Sequence, residues 1–395
     1  MAILDLVTFA LICAGLILSV PVAVLLIEIV AALIPQRAAA MTTTAAPRIA
    51  VLMPAHDEAL GIADTLAHVL HKLSPGDRLL VVADNCTDAT AEIARARGAD
   101  VITRTDPNRR GKSYALQFGI RHLSQAPPDV VVILDADCRL DEGGLRTIAA
   151  RAGESDRPVQ AHYELLAQVD TPSTARAIAV FAAKIKNYLR PLGLYRLGLP
   201  CQLAGTGMAF PWQTLASANV DTGELAEDLV LGLDLASAGR AAEFCPGARV
   251  TSHFPLSAEG TRTQRARWET GHLTTIFRRV PGHILKALRT RNTALLALAL
   301  DAAVPPLALH AMALMALFAA SLLATAWGSY APLVIATLAI ALFGLAIVLA
   351  WHCVGRDNVT LAQLARAPGY IISKIPLYAQ ILRGKHISWI RSKRD

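Results

Sequence analysis

Three short polar clusters stand directly behind apolar runs in the middle of this chain: Pro54-Ala55-His56-Asp57-Glu58, Asp84-Asn85-Cys86-Thr87-Asp88, and Asp135-Ala136-Asp137. Hard cations such as Mg2+ or Mn2+ take carboxylate ligands and keep other positions open for a substrate's phosphate oxygens. Asp135 and Asp137, two residues apart, suit that task. Asp137 is the first choice as metal ligand, with Asp135 reaching the ribose or sugar of a nucleotide-linked substrate, or the metal through water. Lys112, preceded by Arg109, Arg110 and Gly111, can put positive charge near a diphosphate or a base. Each cluster alone has a plainer explanation, since Thr87 and Asp88 suit a helix cap, isolated Asp residues start turns, and a basic turn can simply be solvated. Together they describe convergent polar groups in a cleft.

Farther along, Glu224, Glu227 and Asp228 open a periodic apolar segment containing Leu229, Leu231, Leu233 and Leu235. A carboxylate at a cleft rim can remove the proton of an attacking hydroxyl. Acids are favoured at a helix N-terminus in any case, so a capping role stays open. Gln264, Arg267 and Trp268 fall at spacings of three and four, which puts an amide, a guanidinium and an indole on one helical face. Arg267 can grip phosphate oxygens and Trp268 can stack on a sugar, although both types also suit a helix at headgroup depth. His56, His253 and His272 read as structural, with a contact from His253 to a metal or diphosphate left open.

These groups need elements that hold them. Residues 48–54, 78–83, 100–104 and 130–134 read as strands, and 62–73, 89–97 and 113–123 as helices between them. Strands alternating with helices predict an α/β, doubly wound, mainly parallel sheet flanked by helices, with ligands beyond the carboxyl ends of the strands. Residues 36–47, rich in Ala and Thr and closed by Pro47, read as a linker.

The ends of the chain obey different rules. Of 395 residues, 54% are hydrophobic and 17% charged, below the roughly one quarter usual for soluble domains. Apolar runs over residues 6–34, 302–327 and 331–354 are long enough to cross a bilayer, predicting one N-terminal and two C-terminal transmembrane helices. A cleaved signal peptide is disfavoured because no Lys or Arg precedes the first run and its apolar stretch is too long. Arg37, Arg48, Arg279, Lys286, Arg289, Arg291 and Arg356 flank the spans, whereas the turn at 328–332 has no basic residue. The positive-inside rule then places residues 36–293 and the tail in the cytosol, as expected of a multi-pass protein of a bacterial inner membrane. The expected layout is an anchor over 1–35, a catalytic domain over 48–285, two spans within 294–354, and a basic amphipathic tail over 355–395. Residues 175–190 suit either an interface helix or a core helix. The six cysteines show no metal-ligand pairing, and the net charge of +7 is explained by juxtamembrane basic residues without nucleic acid.

With these motifs in hand, the chain resembles family 2 glycosyltransferases of the GT-A fold over residues 48 to about 280. The resemblance rests on Pro-Ala-His-Asp-Glu at 54–58, Ala-Asp-Asn-Cys-Thr-Asp-Ala-Thr at 83–90, Arg-Gly-Lys-Ser at 110–113, Asp-Ala-Asp at 135–137, Gly-Thr-Gly at 205–207, Glu-Asp at 227–228 and Gln-Arg-Ala-Arg-Trp at 264–268. It implies a metal-dependent, inverting transfer from a nucleotide sugar, a UDP-sugar first of all, with Mg2+ or Mn2+ as cofactor. By the same resemblance Asp228 is the general base and Asp137 the metal ligand. Pro54, His56, Glu58, Asp84, Lys112, Asp135 and Arg267 contact the donor, and Gly205, Thr206, Gly207, Glu227, Gln264 and Trp268 the acceptor or diphosphate. The chain departs from the pattern at Ala83, where an acid is commoner, and at Ala226, where a Thr is usual. The last motif resembles those of processive polysaccharide synthases and of ceramide-type glucosyltransferases. Three spans favour single transfer to a membrane lipid or lipid-linked saccharide, with a processive synthase of the cellulose or hyaluronan type as the alternative.

Overall fold

A computed structural model describes residues 2–35, 46–166, 173–254 and 258–382. Most of the expected linker, residues 36–45, lies outside them, as does the end of the tail with Arg383, Lys385, Trp389, Arg391, Lys393 and Arg394. The chain divides into two compact units: Met1–Pro35 with Val169–Leu197 and Ala299–Ile387, and Gln36–Gln168 with Gly198–Leu298 and Ser388–Asp395.

Helix α1 (Ala2–Ala32) precedes the α/β segment β1 (Ile49–Ala55), α2 (Ile62–Leu70), β2 (Arg78–Asp84), α3 (Thr90–Ala96), β3 (Asp100–Arg104), α4 (Lys112–Leu123) and β4 (Val130–Ile133). Then come β5 (Arg139–Leu140), α5 (Gly144–Ser155), β6 (Val159–Leu166), α6 (Thr174–Lys184), α7 (Arg190–Arg196), β7 (Met208–Pro211), α8 (Trp212–Ser217), α9 (Glu227–Ser237) and β8 (Glu243–His253). The rest is helical: α10 (Ala258–Arg278), α11 (Val280–Thr290), α12 (Thr293–Ala302), α13 (Leu307–Ala324) and α14 (Ala331–Ala350), then α15 (Leu361–Ala365), α16 (Ala367–Ser373) and α17 (Ile375–Leu382).

The α/β unit is built on an eight-stranded sheet in the order β3-β2-β1-β4-β7-β6-β8-β5. β1 pairs parallel with β2 and β4, and β2 parallel with β3; β7 enters antiparallel between β4 and β6, and β8 lies parallel to β6. Alternate residues of β1 feed opposite cores. Ile49, Val51 and Met53 pack with Leu66 of α2 and Ile148 of α5, while Ala50 and Leu52 pack with Leu116 and Ile120 of α4. A strand buried on both faces must be apolar throughout, which is why these runs show no polar alternation. The carboxyl ends of β1, β2 and β4 therefore share one edge of the sheet. The expected mainly parallel sheet is present, with β5 to β8 added to the strands read from sequence.

In the other unit, three helices are long and apolar enough to cross a membrane: Ile3–Ala32, Leu307–Trp327 and Ala331–Gly355. The second starts at Leu307 rather than at 302 because Pro305 and Pro306 separate it from α12; proline removes a helical donor and clashes with the preceding turn. Ile178, Phe181, Ile185 and Leu189 are buried against Leu25, Ile29, Val304, Ala346 and Ala350, so the apolar face of residues 175–190 packs on the apolar helices of this unit. Glu28 in the first apolar helix and Asp301 in α12 share one partner. Arg190 donates from Nε to Glu28 Oε2 at 2.6 Å and from Nη2 to Asp301 Oδ1 at 2.5 Å.

Candidate active site

The loops after β1 and β2 are bound into one wall. Asp57 and Asn85 both turn through φ 52°, a left-handed conformation that Asp and Asn tolerate. Asp57 Oδ1 accepts the backbone N–H groups of Thr87 at 2.6 Å and Asp88 at 3.2 Å, the Glu58 N–H donates to Thr90 Oγ1 at 2.7 Å, and Ala59 N–H donates to Asp88 at 3.0 Å. Asp57, Cys86 and Asp88 also lie close enough to invite a metal reading. These bonds instead make Asp57 and Asp88 the ties between the loops. His56 Nδ1 is 2.6 Å from the Asp84 carbonyl, so the imidazole helps hold the same wall, and Pro54 lies opposite Val82 in the β1–β2 register.

Asp84, only 6% exposed, meets Arg104 Nη1 at 2.6 Å through Oδ1. Sequence reading missed Arg104, whose part becomes visible only in the β2–β3 register, where Asp84 and Arg104 are direct partners. Arg104 and Arg109 both stack on Tyr114, their guanidinium carbons 5.6 and 4.8 Å from the ring centre, and Arg109 reaches Asp221 at 2.7 Å.

Lys112 starts α4 and is the centre of the charge pattern. Its ammonium pairs with Asp135 and donates to the Gly205 carbonyl at 2.8 Å. Burial pushes this amine down, but Asp135, Glu227 and Asp228 outweigh burial and leave its pKa above the ordinary lysine value. The Gly205–Gly207 loop is cut to fit. Gly205 has φ 85°, and a Cβ there would lie 3.3 Å from Asp228 Oδ2 and 3.6 Å from Lys112 Nζ. Gly207 has φ 64°, and its Cβ would meet Val250 at 2.5 Å. Thr206 Oγ1 accepts the Asp135 N–H at 3.1 Å. Buried Gln160, which sequence reading also missed, fixes this loop from β6, its amide donating to Thr206 O at 3.0 Å and accepting from Ala204 N at 2.8 Å.

Asp135, Asp137 and Cys138 bring ligand atoms within 4.8 Å of one another. Burial, then Asp137 and Asp135, push the Cys138 thiol well above its ordinary value, so it stays a neutral soft group that a hard cation ignores. The two carboxylates remain as a donor set that fits Mg2+ or Mn2+.

Glu227 and Asp228 form the first turn of α9, where the helix dipole favours negative charge. Burial and the neighbouring Asp228 nevertheless push Glu227 up to about 7, against the pull of Lys112. α10 reaches this point because Gly271 lets it pass: a Cβ at 271 would lie 3.0 Å from Ala226 Cβ and 3.1 Å from the Ala226 nitrogen. Ala226, where a Thr is usual, is the small residue on the other side of that contact. On α10, Gln264 is 7% exposed and its Oε1 is buried without a hydrogen-bond partner, while Arg267 and Trp268 are half-buried. His253 is exposed at the end of β8. The structure thus gathers Lys112, Asp135, Gly205, Thr206, Glu227 and Asp228, with His56 and Asp84 joined in the adjoining loops.

A family model described as "Glycosyltransferase like family 2" matches residues 47–271. The chain belongs to this family of glycosyltransferases. The chain is 35% identical over 99 residues to the probable glycosyltransferase YdaM of Bacillus subtilis, covering 23% of each protein. It is 34% identical over 92 residues to the 4,4'-diaponeurosporenoate glycosyltransferase of Staphylococcus aureus, covering 22% of this chain and 24% of that one. The glycosyltransferase therefore spans about a quarter of the length of these curated relatives. Among solved structures it is similar to the mannosyltransferase PcManGT from Pyrobaculum calidifontis, bound to GDP-Man and Mn2+. The match has a TM-score of 0.58 at 19% identity and covers 97% of this chain and 100% of that one, so the two share a GT-A fold accompanied here by three candidate membrane helices.

Proposed function

We propose that this glycosyltransferase moves a sugar, with inversion, from a nucleotide-sugar donor, a UDP-sugar first, to a membrane lipid or lipid-linked saccharide at the cytosolic face. The observation that carries this reading is the convergence of Asp228, Lys112 and Asp135 around Gly205. Asp228 accepts the proton of the acceptor hydroxyl as that oxygen attacks the anomeric carbon. Glu227 beside it, pushed up to about 7 by burial and by Asp228, is the carboxyl that can hold a proton. Lys112 holds the charge that develops on the departing diphosphate, and Arg267 grips its oxygens from α10. Asp84, kept in place by Arg104, reads the nucleotide with the support of Pro54, His56 and Glu58. Asp137, with Asp135 beside it, would hold a divalent cation that neutralises the leaving diphosphate. The Mn2+ bound to PcManGT supports that choice. The unpartnered Oε1 of Gln264 and the Trp268 ring on α10 suit an acceptor sugar, and the apolar helices suit an acceptor carried in the bilayer.

The test is purified full-length protein in lipid, incubated with a panel of nucleotide sugars and Mn2+ or Mg2+, with the product identified by mass. Chelation should stop transfer. The cap position of α9 is Ala226, and an Asn at 228 keeps an oxygen that can accept the Leu229 N–H, so Asp228→Asn should keep donor affinity within a few-fold while kcat falls by at least about 100-fold. Retention of more than about a tenth of the parent kcat would assign the proton to another residue.

A further inference from the structure

α9 carries Glu227 and Asp228 at its start, but its far end borders a second, open cavity of about 500 Å3 against the turn between α10 and α11. Arg278, Arg279, His283 and Lys286 line it on one side, Asp234 and Ser237 on the other. Two of the four basic groups are engaged. Arg279 pairs with Glu224 at 3.0 Å, and His283 faces Asp234 at 3.5 Å. Arg278 and Lys286 have no carboxylate partner among the described residues, and Ser237 Oγ is buried without a hydrogen-bond partner. Two uncommitted cations beside an open cavity match a phosphate group, whose oxygens accept charge-assisted hydrogen bonds.

The same segment is apolar where a soluble surface would be polar. Phe277 is 69%, Leu285 48% and Leu288 60% exposed, interleaved with Arg278, Lys286 and Arg289, while Val280 and Ala287 are buried on the opposite side of α11. Basic heads among exposed Leu and Phe are the pattern of a helix lying in the headgroup layer. In sequence, α11 leads into apolar α12 and then into the span that begins at Leu307. We propose that this cavity binds the phosphate of an anionic phospholipid, with Leu285 and Leu288 against its acyl chains. The assignment rests on the membrane helices and is independent of which sugar the active site transfers.

Full-length protein in neutral detergent is mixed with phosphatidylglycerol or with phosphatidylcholine, and retained lipid is counted by native mass spectrometry. The parent protein should keep one phosphatidylglycerol at least roughly tenfold more tightly than phosphatidylcholine, since two uncommitted basic groups favour a lipid of net negative charge. Arg278→Gln/Lys286→Gln, both exposed positions, should lose that preference at unchanged melting temperature, and Lys286→Gln alone should lose part of it. Leu285→Ser/Leu288→Ser should weaken phosphatidylglycerol retention without altering the binding of inorganic phosphate. Equal retention by the parent and the Arg278→Gln/Lys286→Gln protein would overturn the site. Inorganic phosphate that binds as tightly as the lipid would make it a pocket for soluble phosphate and overturn the lipid assignment.

Discussion

At the scale of residues, the sharpest consequence lies in Glu227. Its pKa of about 7 in the folded protein stands above the ordinary 4.5, because burial and Asp228 disfavour its charge. Between those values the folded chain holds a proton that the unfolded chain has released, so stability falls as pH rises from about 4.5 to 7 and levels off above. The full effect is on the order of 3 kcal/mol, since one pKa unit is worth about 1.4 kcal/mol. Metal-free protein should therefore melt higher at pH 5 than at pH 8, and Glu227→Gln should flatten that difference. An unchanged slope in Glu227→Gln would move the proton elsewhere. Asp57, Asp84, Asp135 and Asp137 were legible because each stands at a strand end or just behind one, and Glu227 and Asp228 because they open a periodic apolar segment. Gln160 and Arg104 were not, because one acts across β6 on a loop 44 residues away and the other through the β2–β3 register. Neither kind of neighbour has a signature in local sequence.

At the scale of elements, β1, β2, β4 and their helices were readable since each of these strands is short, buried on both faces and closed by a polar turn, while β3, at the sheet edge with no buried residue, was readable as a short run between Gly98 and a polar turn. β6 to β8 were not. β7 has only four residues, β8 carries Pro246 and Gly247 in its interior, and the pairing of β6 with β8 shifts register between Ala161 and His162, so no two-residue period survives. The same limit applies to α7. Its Arg190 is 6% exposed between Glu28 and Asp301, and Gly193 lets α7 touch α1 so closely that a Cβ would fall 1.8 Å from the Glu28 carbonyl. Removing one member of a buried ion pair strands the others, which typically costs about 3–5 kcal/mol, whereas a neutral isostere at one of two acids keeps a hydrogen-bond partner. Arg190→Met should thus lower the melting temperature and yield of the solubilised protein sharply, and Glu28→Gln only slightly. Thermal unfolding of both variants in one detergent checks this, and a larger loss from Glu28→Gln would refute the ranking.

At the scale of the whole molecule, orientation in the membrane is set by charge rather than by packing. Lys and Arg flanking the spans stay on the cytosolic side because short basic segments resist translocation. Here Arg37 and Arg48 follow the first apolar helix, Arg279, Lys286, Arg289 and Arg291 precede the second, and Arg356 follows the third, while Gly328, Ser329, Tyr330, Ala331 and Pro332 join the last two with no charge at all. By that rule the orientation we propose for these flanks has the N-terminus and the 328–332 turn outside and the glycosyltransferase unit and the C-terminus in the cytosol. A small epitope inserted between Ser329 and Tyr330 should then be labelled on intact cells by an impermeant reagent, and a C-terminal epitope only after permeabilisation. Adding two Lys residues to the turn should weaken this orientation, because the bias that sets it is the difference in Lys and Arg between the two sides. Labelling of the turn only after permeabilisation would reverse the assignment, and with it the side of the membrane on which the acceptor must be sought.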